Sequence, residues 1–134
     1  MATLDEYNNV MAALCIWREA RGEPRDGKLA VMWVILNRKN DPHNRWPNTY
    51  AKIVLQPLQF SSFNRNDPNA ALLATPTDSS FYECCQCVDA PGLSDPTLGA
   101  NCYHAYPEGD PHWPSWATPE HFTVKIGKHS FYRL

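Results

Sequence analysis

A chain of 134 residues has the length of one domain and can bury a real core without obligatory staples. It is 43% hydrophobic, which argues against disorder, yet holds no apolar run near the ~18–20 residues of a membrane span. Twelve basic against 14 acidic residues leave a net charge of −2, which argues against a nucleic-acid surface.

In chain order, Leu4, Tyr7, Val10, Met11, Leu14, Cys15 and Arg18 recur at helical spacing and predict a first helix over residues 3–20. Thr3 is its expected N-cap, Asp5 and Glu6 suit the positive end of the helix dipole, and Gly22 is the expected stop. A second helix is predicted from Pro24 to about Lys39. Its interior, Leu29 to Leu36, is apolar almost all round, the pattern of a central spine. Residues 40–47 carry turn signals throughout. Thr49 then caps a short helix to about Leu55, broken at Pro57, and residues 56–68 read as a polar-aromatic loop. A further helix is predicted over residues 79–89, with Phe81, Cys84, Cys85 and Val88 on one face.

After Pro91 the pattern turns to short β-rich runs at residues 102–106, 122–126 and 129–132, with Gly127-Lys128 suited to a hairpin turn. The expected fold class is therefore α+β and mainly helical, with a small antiparallel sheet, in a single unit spanning residues 1–134. Met1 to Glu6 lacks a basic segment followed by an apolar stretch, so no signal peptide is expected.

Five cysteines are an odd number, so at least one is free or pairs outside the chain. Cys84, Cys85 and Cys87 cluster, with Cys102 and His104 further on. A thiolate–imidazole metal site is conceivable from these, but the spacing is not a paired C-x-x-C framework. Reduced thiols are the favoured reading, and no metal or cofactor is assigned.

Glu19 stands in the run Trp17-Arg18-Glu19-Ala20-Arg21-Gly22-Glu23-Pro24, on the last predicted turn of an apolar helix. A carboxyl there can face a cleft while its stem stays against the core, an environment that favours the protonated form a general acid needs. The plainer reading is a solvated helix end. Five Trp, six Tyr and five Phe suit a saccharide cleft, since aromatic rings stack on sugar faces, but they also fill small cores.

Five stretches in order resemble a known family: Glu19 to Pro24, Gly27 to Arg38, Trp46-Pro47-Asn48-Thr49, Gln56 to Ser61, and Ile126 to Tyr132. The chain resembles the cell-wall hydrolase domain of spore-cortex-lytic enzymes, a family also represented in bacteriophages. The segment Cys84-Cys85-Gln86-Cys87 has no place in that pattern. The resemblance implies a lysozyme-related, mainly helical domain with a small sheet. It also implies cleavage of peptidoglycan glycan strands between N-acetylmuramic acid and N-acetylglucosamine, in the manner of lytic transglycosylases, with one essential glutamate. By its place in the first motif that glutamate corresponds to Glu19.

Around this acid the sequence offers several candidates for substrate binding. Glu23 is the obvious second carboxylate, or else a cap for the second helix. Gln59 and Ser61 offer an amide and a hydroxyl for acetamido groups, with Phe60 as a sugar platform, unless the loop is a turn held by its own side chains. Asn101, Tyr103 and His104 are candidates for the opposite wall, although a backbone-satisfied imidazole is an equal reading of His104. An apolar wall beside Glu19 is expected from Trp17, Trp33 or Phe60. Asn37 and Arg38 read as supports, and His129 as a structural hydrogen-bonding residue.

The implied partner is the glycan strand of peptidoglycan, with no nucleic acid, no membrane span and a monomeric enzyme expected. A phage lysis role is also expected, with manufacture in the cytoplasm and release through holin pores. Three other readings stay open: a hydrolytic muramidase, a non-catalytic glycan-binding or phage structural protein, and a metal-dependent cysteine/histidine protein.

Overall fold

The structure is a computed structural model that describes residues 3–56, 59–60 and 78–134. Helix α1 spans Leu4–Ala20 and starts at a reciprocal cap. The Thr3 hydroxyl accepts the Glu6 N–H at 3.1 Å, and the Glu6 carboxylate accepts the Thr3 N–H at 2.8 Å. Burial begins only at Ala12 and takes in Ala13, Cys15, Ile16, Trp17 and Ala20. The apolar residues of the first half stay at the surface: Leu4, Tyr7 and Val10 are 72%, 48% and 51% exposed. The first two turns run past the body and touch it through Asn8, whose side-chain oxygen accepts the Ala51 N–H at 3.0 Å.

Gly22 does not stop α1 as a left-handed cap. Arg21 closes the helix in right-handed geometry, and Gly22 is absent from the glycines with positive φ. Pro24 makes the break instead. It lacks an N–H, disfavours helical geometry at Glu23, and stands as N-cap of α2, Arg25–Lys39. No side chain caps α2, so Glu23 does not serve there.

Helix α2 buries Ala30, Val31, Met32, Val34 and Ile35 and is the spine that its apolar run predicts. It packs on α1, on α3 (Tyr50–Val54) and on α4 (Ser79–Asp89), and touches the sheet. Thr49 caps α3, and the Asp78 carboxylate caps α4 by accepting the Ser80 and Phe81 N–H groups. From α4, Cys84, Cys87 and Val88 enter the core beside Ile16, Met32 and Ile53.

Strands β1 (Cys102–His104), β2 (Phe122–Ile126) and β3 (His129–Tyr132) form one antiparallel sheet in the order β1-β3-β2. A single 3₁₀ turn, Pro119–His121, leads into β2. The first strand is two residues shorter than predicted: the Tyr106 N–H is taken by the His104 side chain rather than by a ladder. Tyr103 pairs with Phe131 and His104 with Ser130.

The β2–β3 turn is locked to the α1–α2 junction through Glu23. Its Oε1 accepts the Lys128 N–H at 3.1 Å, and its main-chain carbonyl accepts the Lys28 ammonium at 2.7 Å. Two glycines make the slot. A Cβ on Gly27 would lie 2.8 Å from the Glu23 Cβ, and one on Gly127 would lie 2.5 Å from the Glu23 Oε2. Gly127 also has φ +57°, a region other residues enter at a cost. Gly127→Ala should therefore lower the unfolding free energy by about 2 kcal/mol or more in denaturant titration. Gly22→Ala, with nothing within 4 Å of the new Cβ, should leave stability unchanged or slightly raised. Equal losses at the two positions would refute the slot.

Candidate active site

Glu19 occupies the last turn of α1, half-buried, where the helix meets the sheet. The Tyr103 hydroxyl donates to its Oε1 at 2.7 Å. Tyr103 is itself wedged between rings: His129 stands edge-on at 4.9 Å, Phe131 lies at 5.6 Å and Phe60 at 6.3 Å. Burial, and next the Glu19 carboxylate, hold the Tyr103 phenol well above its ordinary value of 10, so it remains a donor.

In front of this pair opens a cleft of about 540 Å³, with Gln59, His104, Tyr106, Trp116 and His129 among its walls. Glu19 is the lone carboxylate among the described residues that line it. A smaller hollow of about 260 Å³ adjoins it and is lined by both Glu19 and Glu23, with Lys128 and His129. Glu23 is thus brought beside Glu19, but its carboxylate is already engaged. Besides the Lys128 amide it faces the His129 Nδ1 at 3.7 Å, and its side chain is only 11% exposed.

The remaining candidates divide. Gln59 lines the cleft, and its Oε1 accepts from the Arg38 guanidinium at 3.3 Å. Phe60 is 1% exposed, so it is no sugar platform. The guanidinium of Arg38 lies 4.9 Å from its ring centre, and the ring fills the core next to Tyr103. Ser61 lies outside the described residues. Asn101 does not reach the cleft, because its amide pairs with the chain end: Nδ2 donates to the Leu134 carbonyl at 3.2 Å and Oδ1 accepts the Leu134 N–H at 3.0 Å.

His104 lines the cleft while fully satisfied. Its Nδ1 accepts the Tyr106 N–H at 3.0 Å, which places the proton on Nε2, 3.1 Å from the Tyr132 hydroxyl. The apolar wall comes from neither Trp17 nor Trp33, whose indole N–H groups donate to Ser80 and to the Pro91 carbonyl on the helical side. Tyr103, Tyr106, Trp116 and His129 supply it instead. Tyr106 and Trp116 went unread in the sequence, though a signal was present. Trp116 stands in a proline-broken stretch, 107–116, that has no helical or strand period to bury it, and Tyr106 closes the β-rich run 102–106 at its edge.

All five cysteines are free, and no group of three or more His, Cys, Asp or Glu among the described residues is arranged to hold a metal. Burial pushes the Cys84 thiol up to about 12, so it is not a thiolate at neutral pH.

Fold and cleft together are those of a lysozyme-like domain. The chain belongs to the Cell Wall Hydrolase family, whose profile matches residues 22–132. The match begins just after Glu19 and does not include it. Spore cortex-lytic enzymes of Halalkalibacterium halodurans and Bacillus subtilis are each 31% identical over 121 residues, covering 90% of this chain. The aligned part is 33% and 36% of those proteins, so the chain spans about a third of their length. The catalytic domain of the germination-specific lytic transglycosylase SleB from Bacillus anthracis superposes with a TM-score of 0.69 at 29% identity, over 98% of this chain and 97% of that one. The SleB catalytic domain of Bacillus cereus gives a TM-score of 0.67 at 28% identity, over 95% and 91%.

Burial holds both His104 and His129 below the ordinary imidazole value of 6.5, with the carboxylates of Glu23 and Glu19 opposing it at His129. Below that value the unfolded chain binds protons that the folded chain refuses, so stability falls as pH drops. Denaturant midpoints should decline from pH 7.5 to 5.5, and the decline should be shallower in His104→Gln. An unchanged slope in that variant would remove His104 from the account.

Proposed function

We propose that this chain is a peptidoglycan lytic transglycosylase, acting as a monomer and as one catalytic unit, with Glu19 serving first as acid and then as base. The observation that carries the reading is that Glu19, to whose Oε1 the Tyr103 hydroxyl donates at 2.7 Å, is the lone carboxylate among the described residues lining the cleft.

In this scheme Glu19 gives its proton to the glycosidic oxygen between N-acetylmuramic acid and N-acetylglucosamine. The C1–O bond breaks, and its electron pair leaves with the N-acetylglucosamine oxygen. The neighbouring 2-acetamido group stabilises the cationic sugar. The Glu19 carboxylate then takes the proton from the muramic C6 hydroxyl as O6 bonds to C1, closing a 1,6-anhydro ring. No water enters the products.

A hydrolytic muramidase would ordinarily need a second carboxylate, at ~5–5.5 Å for retention or ~6.5–9.5 Å for inversion. Glu23 is the nearest candidate in sequence, but its engagement by the Lys128 amide and its seat under the hairpin favour a structural role. The likeness to the SleB catalytic domain points the same way.

Digestion of purified peptidoglycan, with mass spectrometry before any borohydride step, should release muropeptides ending in 1,6-anhydro-muramic acid. Reducing-end products about 18 Da heavier would mean hydrolysis instead. Glu19→Gln should lower the rate by about 10²–10⁴-fold while leaving the melting temperature in place. Wild-type activity in that variant would end the assignment. Tyr103→Phe, which removes one hydroxyl, should cost roughly tenfold in kcat. The phage lysis role carries its own test: co-expression with a holin should clear a host culture, and the Glu19→Gln chain should not. Lysis that is indifferent to this substitution would exclude the role.

A further inference from the structure

A second concavity of about 880 Å³ lies on the other side of the loop that walls the cleft. Tyr106 borders both. Its ring is sandwiched between His104 at 5.8 Å and His112 at 5.9 Å, so it stands as a fixed ridge between the two spaces. The far wall is made of Trp113 and Phe122, with Tyr132, 3% exposed, packed against Phe122, and the rim carries Lys125, Glu108 and Asp110.

The Trp113 indole and the Tyr132 hydroxyl are committed within the protein. The Trp113 indole donates to the Ala117 carbonyl at 2.9 Å, and the Tyr132 hydroxyl meets His104 at 3.1 Å. What remains is ring surface, with Phe122 47% and Tyr106 44% exposed, under a rim bearing both signs of charge. A chitin-like sugar asks for neutral donors and acceptors around a flat face. This groove offers alkyl-binding faces, one ammonium and two carboxylates, of which the Asp110 Oδ1 already accepts the His112 N–H at 2.7 Å. That is the complement of a short peptide carrying free carboxylates and an amine.

The substrate of the proposed reaction carries such a peptide. The muramic residue at the scissile bond bears a stem peptide on its lactyl ether, and the stem has to leave the cleft to one side. Three extended residues reach about 10 Å, enough to pass over a single aromatic ring into the next hollow. We propose that the groove behind Tyr106 binds this stem peptide, with Lys125 meeting its carboxylates and Glu108 and Asp110 its diamino-acid amine. The inference rests on the lytic reading for its substrate, and its binding arm stands free of any turnover.

Two measurements separate the possibilities. The soluble tripeptide L-alanyl-γ-D-glutamyl-diaminopimelate, titrated into the wild-type chain, should shift the Trp113 indole and Lys125 amide NMR signals. Lys125→Glu, at an exposed position, should weaken that binding at least fivefold. In kinetics, the same variant should raise KM several-fold on peptide-bearing glycan and leave the rate on amidase-stripped glycan within twofold. Loss on both substrates alike would make the groove a sugar site and overturn the proposal. So would shifts absent from the groove, even with a fully active enzyme. Groove shifts without cleavage of either substrate would instead support the peptide site and remove the lytic reading.

Discussion

Everything near the cleft depends on how Glu23 is seated. It stands between α1 and α2, yet its side chain reaches the β2–β3 turn, 105 positions on, where the Lys128 amide donates to it. A nearly buried carboxylate is costly unless hydrogen-bonded, and this one is met by a backbone N–H and faced by an imidazole. The seat closes only because Gly27 and Gly127 lack a Cβ. Glu19 lies four residues earlier on the same chain segment, and Tyr103 lies on the strand paired to β3. Fixing the hairpin against the helix junction therefore fixes the distance between the Tyr103 hydroxyl and Glu19.

That distance has chemical content, because the hydrogen bond changes strength as the proposed reaction proceeds. A phenol donating to a neutral carboxyl makes an ordinary hydrogen bond, and one donating to a carboxylate makes a charge-assisted bond roughly twice as strong. Since burial keeps the proton on Tyr103, the same contact is weak before proton transfer and strong after it. An interaction that grows along the reaction lowers the barrier, whereas one of constant strength only tightens binding. His129 and Phe131 hold the phenol ring on two sides, which limits the reorganisation the step requires.

The helices and strands were legible because they rest on local pattern. Thr3, Thr49 and Pro24 mark helix starts, and Gly127-Lys128 marks the hairpin by turn chemistry that needs no knowledge of the fold. Glu19 was legible as a polar group placed where an apolar helix stops. What failed were readings about which way a side chain faces in three dimensions. Leu4, Tyr7 and Val10 keep helical spacing, but no described residue covers them. Phe60 and Asn101 sit in the right neighbourhoods and turn away, one to cover a buried cation and the other to bind the chain end. Spacing reports faces of one element; it carries no record of the partner element, and both errors come from that gap.

Arg38 shows how such a partner decides a site residue. It is a buried cation whose hydrogen bonds run to the Asn101 carbonyl at 2.7 Å, the Gln59 amide oxygen at 3.3 Å and the Cys102 sulfur at 3.8 Å, with Phe60 and Trp46 covering its faces. A guanidinium can only donate, so it takes the oxygen end of Gln59 and settles which way that amide is turned. The NH₂ end is thereby turned from the guanidinium, and Gln59 forms part of the cleft wall. Two N–H donors at that place suit the acetamido carbonyl that the proposed substrate would bring, whereas an amide oxygen would repel it. In the proposed complex Gln59 would therefore owe that contact to Arg38, which is itself buried. An Arg38→Lys substitution would not reproduce it, since a single ammonium cannot bind Asn101 and Gln59 in a fixed fork while lying flat between two rings.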